Sequence, residues 1–520
     1  MARQQTDHLF KLIKSLTKAE KRNFKLYVNR IGAGENTKFL SLFEAIDKQK
    51  KYNEVDILKK TPSIKPSQLS NLKANLSKNL LTSLRLMAQQ SDVDIMLRQQ
   101  LDYAKILYNK ALYQQSLITL NKAKIQAKKA NREILYFEMV EFEKLIESQY
   151  VTRSIENRAD ELTAESDYLN ERISLSANLS NLAIRLYGFY IKNGHIRNEE
   201  DQIILTDFFH RYMPAYEFDK ISFFEKLYLY QSHVWYYLIL QDFLMVYRYS
   251  FKWVELFKEY PDAIQNQTDL YIKGINNMLD GLYFTQEYKR FKKTLDGLLA
   301  ITDNKSIIIS KNVELLLYQY YYTHLINWYF MEGKFTEGLT MIPKIIEFLD
   351  NNEIYIDNHV EMVFYYKIAC LYFGSGDNKN TVKYLNLVIN FKDVELRSDI
   401  QCFSRILNLI AHFEMENFDL LEYLVKNTYR FLSKMEDLHR TQKEMLFFLR
   451  RLPNTPENEL NNAFKLLLVE LKKLRNDPYE RRPFLYLDII SWLESKISGM
   501  PVQEVIRIKR VKGIFEVKPL

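Results

Sequence analysis

In Phe330-Met-Glu-Gly-Lys-Phe335-Thr-Glu-Gly-Leu339 one helical pattern stops and another starts. An apolar-periodic run ends at Phe330, a polar turn holds Gly333, and Phe335 opens a second run. The same order returns in Phe373-Gly-Ser-Gly-Asp-Asn378-Lys-Asn-Thr-Val382 and in Tyr108-Asn-Lys-Ala-Leu-Tyr113-Gln-Gln-Ser-Leu117. Weaker copies centre on Phe243, Tyr288 and Phe418. From Phe243 through Tyr288, Phe335 and Asn378 to Phe418 the anchors follow one another at a nearly even interval. The gap between Tyr113 and Phe243 is about three such intervals, which leaves room for two more units, near 156 and near Gly194-His195-Ile196. A period of about 40–47 residues made of two helices predicts a helical solenoid.

The flanking residues fit that reading. Before the turn at Gly333, Tyr322, Leu325, Ile326 and Tyr329 share one face at helical spacing. After it, Gly338, Ile342 and Ile345 face them. The next copy places Tyr365, Ile368, Ala369 and Tyr372 against Thr381, Leu385 and Val388. The early copy places Tyr103, Ala104 and Leu107 against Ser116, Leu120 and Ala123. Small side chains at 104, 116, 338, 369 and 381 let helix axes approach closely.

These copies resemble the tetratricopeptide-repeat family. The shared signs are the small residue of the first helix (Ala104, Ala369), the turn glycine (Gly333, Gly376), the aromatic after it (Tyr113, Phe335) and the small residue opening the second helix (Ser116, Gly338, Thr381). The resemblance covers about residues 97 to 433. It implies a right-handed superhelix whose concave face binds peptides or partner proteins, and it implies no enzyme. The family repeats at about 34 residues, so the wider interval in this chain means longer helices.

Composition agrees with an all-α fold. The 520 residues contain only 13 glycines, 2.5% against a usual ~7%, and 11 prolines. Tight β-turns and phosphate-cradling loops both need glycine, so the composition argues against all-β, Rossmann and P-loop folds. Two cysteines, Cys370 and Cys402, cannot staple a chain this long and read as buried apolar side chains. The longest central uncharged run, Leu315 to Met331, carries Gln319, Thr323, His324 and Asn327. It is short of the ~20 apolar residues that a membrane span needs. The first residues lack the apolar core of a signal peptide. The expectation is a cytoplasmic, soluble protein.

No catalytic constellation stands out. The eight histidines form no His-Glu-x-x-His, and no Cys/His cluster has zinc spacing. The P-loop, dinucleotide-binding and Gly-x-Ser-x-Gly patterns are absent. Leu279-Asp280-Gly281-Leu282 and Leu295-Asp296-Gly297-Leu298 repeat locally, and both acids read as solvated helix positions. No enzyme, cofactor or metal is expected. The tyrosine clusters at 320–322 and 235–237 read either as core packing or, collectively, as a peptide-binding groove.

Charge singles out the beginning of the chain. Residues 1–90 hold 18 Lys and Arg against 7 Asp and Glu, a net of +11, whereas the whole chain is +8. Thr17 and Glu20 have capping-box spacing and start a helix at Lys18. On that helix Lys18, Lys21, Arg22 and Lys25 make one stripe about 100° wide, with Phe24, Tyr27 and Ile31 opposite. The stripe itself carries no acid. After a short helix over 54–60, Pro66 opens a long helix whose polar face includes Lys78 and Arg85. This pair loosely resembles a helix-turn-helix, but without the turn glycine and with an over-long second helix. These cations suit phosphates, an acidic protein surface, or plain solvation.

The expected layout is a basic N-terminal helical segment (1–90), helical repeats (91–433) and a divergent C-terminal cap and tail (434–520). Thr455-Pro456-Glu457 starts a helix and Leu485 to Ile497 forms another, while Val505 to Val517 reads as a short strand or a tail. The expected function is a scaffold or adaptor for a protein or peptide. The alternative is a regulator whose N-terminal helices bind nucleic acid.

Overall fold

The computed structural model describes residues 8–31, 36–89, 91–149, 157–304, 307, 309–391, 398–434, 440–452, 455–477, 479–480, 484 and 488–512. Helix makes up 84% of the structure, and no strand occurs among the described residues. Contacts divide the chain into two compact units, residues 1–173 and 174–520. The expected boundary after residue 90 does not coincide with this division.

The first unit opens with α1 (His8–Ser15), α2 (Lys18–Ile31), α3 (Asn36–Asp47), α4 (Glu54–Lys60) and α5 (Pro66–Ala88). Leu9, Phe10, Phe24, Phe43, Ile57 and Leu76 belong to a hydrophobic cluster shared by these five helices. The capping box forms as spaced: Thr17 N–H donates to Glu20 Oε2 at 2.7 Å and Glu20 N–H donates to Thr17 Oγ1 at 3.2 Å. Next come α6 (Val93–Asn109), α7 (Tyr113–Lys129) and α8 (Glu133–Gln149). Ser116 Oγ donates to the Ala104 carbonyl at 2.8 Å, so the small pair in the early copy does mark a close helix approach. Tyr103, placed on the same face by its spacing, is instead exposed.

Where one of the two further units was expected, α9 (Arg158–Asn193) runs unbroken for 36 residues. Residues 150–156, part of that expectation, lie outside the described residues. The start of α9 is held by charge. Lys124 pairs with Glu143 at 2.6 Å and Glu165 at 3.2 Å, and Arg172 pairs with Glu133 at 2.6 Å. Lys124 and Glu143 are both buried, and each has a second partner, Glu165 for Lys124 and Arg158 for Glu143, so the interior charge is shared over a network.

The second unit continues with α10 (Glu199–Tyr212), α11 (Phe223–Ile239), α12 (Phe243–Glu259), α13 (Pro261–Asn266), α14 (Thr268–Phe284), α15 (Tyr288–Ala300) and α16 (Lys311–Glu332). Then follow α17 (Phe335–Gly338), α18 (Ile342–Asn351), α19 (Asn358–Ser375), α20 (Asn378–Ile389), α21 (Ser398–Glu414) and α22 (Phe418–Lys434). Most of these helices pack on their chain neighbours, and α14, α16, α19 and α21 also pack in succession on one another. All six sequence anchors, at 113, 243, 288, 335, 378 and 418, are first residues of helices.

One turn precedes all six. Ala111, Gln241, Gln286, Gly333, Gly376 and Glu416 have φ between 58° and 89°. At Gly333, its own N–H donates to the Phe330 carbonyl and the Lys334 N–H to the Tyr329 carbonyl, at 3.1 and 2.9 Å. The other five turns repeat this pair of bonds, which defines the Schellman C-cap.

The chain closes with α23 (Arg440–Arg451), α24 (Glu457–Arg475), α25 (Ile489–Ser498) and α26 (Val502–Lys512). The strand-or-tail segment is therefore helical through Lys512, and residues 513–520 lie outside the described residues. No helix among the described residues is long and apolar enough to cross a membrane.

Candidate functional site

The basic stripe is only half free. On α2, Lys21 Nζ pairs with Asp47 at 2.7 Å and Lys25 Nζ pairs with Glu44 at 2.7 Å. Both acids come from α3, which the reading of one helix face could not supply. The Lys25 ammonium holds the Glu44 carboxyl below its ordinary range. On α5, Arg85 pairs with Asp102 at 3.1 Å, and all of these pairs are partly exposed. Lys18, Arg22 and Lys78 are exposed and have no ion pair among the described residues. Three cations on two helices are thus available to a ligand.

A second cluster lies in the other unit, on the successive helices α14, α16 and α19. Asn276 Oδ1 is 3.0 Å from His324 Nε2, and Asn327 Nδ2 is 3.4 Å from His324 Nδ1. Lys367 Nζ donates to Asn327 Oδ1 at 2.6 Å. One polar ladder therefore crosses three helices. His324 is fully buried, and burial depresses its imidazole to about 3, so it is neutral at physiological pH. Its neighbours accept that state because each ring nitrogen faces an amide.

Asp280 sits one turn after Asn276 on α14 and is half-buried. It has no hydrogen bond or ion pair among the described residues. Burial pushes its carboxyl up to about 7, with the Lys367 charge opposing the rise. The reading of Asp280 as a solvated acid is corrected here. Its local twin Asp296 does behave that way, forming an exposed i,i+4 pair with Lys292. The two differ through the glycine that follows. A Cβ on Gly281 would meet the Tyr247 backbone at 2.8 Å, whereas one on Gly297 would meet nothing. Gly281 therefore lets α14 press against α12, and Asp280 sinks with it.

Two tyrosines lie within electrostatic reach of this acid. Burial holds the phenols of Tyr283 and Tyr320 above their ordinary value, Tyr320 at about 12, and the Asp280 charge adds to the rise, at Tyr283 as the smallest contribution. Tyr283, Tyr320, Tyr321 and Tyr322 are all half-buried against the α14–α16 core. Trp235 and Tyr237 are half-buried too; Tyr237 stacks on Tyr249 at 5.6 Å. Both aromatic clusters thus contribute to packing while keeping part of their surface open.

The thiols of Cys370 and Cys402 are buried, and burial pushes Cys370 up to about 12, far from a reactive thiolate. No group of His, Cys, Asp and Glu among the described residues has the arrangement of a metal site. No family model, curated protein or solved structure matches the chain.

Proposed function

We propose that this chain is a protein-interaction scaffold whose row of helices α14, α16 and α19 receives a cationic segment of a partner. Asp280 carries the reading. A carboxylate that is desolvated and has no hydrogen bond or ion pair among the described residues costs stability when ionised, and the more distant Lys367 charge offsets only part of that cost. A lysine or arginine from a partner would return the attraction that burial has removed, and the faces of Tyr283 and Tyr320 suit the same cation. The repeated helix–turn–helix units support the further reading of a right-handed superhelix resembling tetratricopeptide repeats.

The test is capture from the native cell with full-length bait, wild type against Asp280→Asn. The expected result is a discrete protein recovered by the wild type, insensitive to nuclease and at least about tenfold depleted with the variant. Identical recovery by both baits would contradict the assignment to Asp280.

The free cations Lys18, Arg22 and Lys78 favour a second reading, a nucleic-acid-binding regulator. Phosphate contacts need exposed, unpaired charge, and these three residues provide it.

A further inference from the structure

The last helix of the chain is seated like a ligand. On α26, Val502, Ile506 and Arg510 recur every four residues and so share one face. Ile506 is buried in a cluster with Ile326, Phe335, Ile368 and Leu371, and Val502 packs at its margin. Arg510 reaches Glu332 at 2.5 Å, and Glu332 is only 5% exposed. Arg507 lies 3.8 Å from Glu337. The receiving turn is shaped for this helix. A Cβ on Gly333 would stand 2.8 Å from the Gln503 carbonyl oxygen and 2.9 Å from Arg507 Cγ. The end of α16 also favours cations, because its last carbonyls form the negative pole of the helix.

The seat is held largely by polar contacts and leaves part of the helix's apolar surface open. Only Val505 and Ile506 of α26 are buried, while Ile508 is 37% and Val511 86% exposed. The helix joins α25 through Gly499-Met500-Pro501, in which Gly499 adopts φ +72° and all three residues are exposed, and Lys509 ties it back to α25 through Glu494 at 2.6 Å and Ser491 Oγ at 2.8 Å.

We propose that the recess at Glu332, Gly333, Phe335, Glu337 and Ile368 is a binding site for a basic amphipathic helix of a partner protein. In this structure α26 occupies it from within the chain, and the partner helix displaces α26. The recess selects an apolar residue at i and i+4 and an arginine at i+8, the pattern α26 itself presents. Acidic or purely apolar helices are disfavoured, because Glu332 would lose its close Arg510 partner and keep only Lys334, 3.6 Å away. The proposal rests on the scaffold reading and adds a second site with its own chemistry.

The probe is a fluorescent peptide of the sequence 502–512, read by anisotropy against the full-length chain. Wild type is compared with a full-length Ile506→Asp, Lys509→Ala, Arg510→Glu variant, which removes the apolar and charged contacts of α26 and leaves the residues of the recess unchanged. The peptide should bind the variant at least about tenfold more tightly than wild type. Adding Glu332→Gln, or placing Arg510→Glu in the peptide, should abolish that gain. Equal affinity for wild type and the unseated variant would overturn the proposal. Hydrogen exchange on the wild-type chain gives a readout that needs no variant. The α26 amides should exchange at least about tenfold faster than those of α16 and α19. Exchange of α26 only together with α16 would make it a permanent part of the fold and would also overturn the proposal. If both measurements fail while capture still depends on Asp280, this inference alone falls.

Discussion

Asp280 ties one side chain to a measurable pH dependence. Its folded value near 7 lies above the ordinary 3.8, so the folded state holds its proton more tightly than the unfolded chain. That linkage favours folding at low pH and is lost as pH rises through 7. His324 has the opposite sign: its folded value near 3 lies below 6.5, so its contribution is lost as pH falls below 6.5. Only a difference between variants separates the two. Asp280→Asn should be more stable than wild type at pH 8 by on the order of 2 kcal/mol, and the advantage should vanish by pH 4. Urea unfolding at several pH values measures this, and a pH-independent difference would contradict it. The sequence placed Asp280 on a helix but could not show its burial. That burial depends on Gly281 meeting the Tyr247 backbone, a contact between helices far apart in the chain.

The turns show what local sequence carries and what it hides. An aromatic or asparagine two residues after these six αL positions made six helix starts legible, whereas the αL turn at Asn131, followed by Glu133 at the start of α8, had no such mark. The turn glycine was a poorer guide, because Ala111, Gln241, Gln286 and Glu416 take the same left-handed conformation without it. Each such residue is strained by its Cβ, by about 1–2 kcal/mol. Ala111 is exposed, so Ala111→Gly should relieve strain and raise stability by up to about 1 kcal/mol, net of the added freedom of the unfolded chain. Thermal unfolding checks this, and a lowered melting temperature would count against the turn geometry. The stretch between the units expected near 156 and 196 shows the reverse limit: the turn at Gly194 forms between α9 and α10, but one helix fills the space before it. A spacing argument counts residues, and α9 fits the count as one long helix. On α2, the stripe was legible but its neutralisation by Asp47 and Glu44 was not, because those acids arrive through packing. The nucleic-acid reading therefore now rests on Lys18, Arg22 and Lys78. If the full-length chain binds duplex DNA through them, Lys18→Ala with Arg22→Ala should shallow the log–log salt dependence by up to about two units. No detectable binding at low salt would remove that reading.

For the molecule as a whole, composition alone pointed to helix, because so little glycine leaves few positions for tight β-turns. Domain boundaries were less legible. The charge step near residue 90 follows the five-helix cluster of α1 to α5, yet contacts join that cluster with α6 to α8 in one unit. Charge reports which residues face water, whereas compactness depends on which apolar faces meet. The scaffold reading makes one demand on the intact protein: something must lie against the tyrosine row beside Asp280. A photo-crosslinking phenylalanine analogue in place of Tyr320, in the full-length chain inside its native cell, reads that contact at its source. The account predicts one discrete protein adduct that survives nuclease treatment and disappears with Asp280→Asn. Crosslinks confined to the chain itself, or an adduct unchanged by Asp280→Asn, would contradict it.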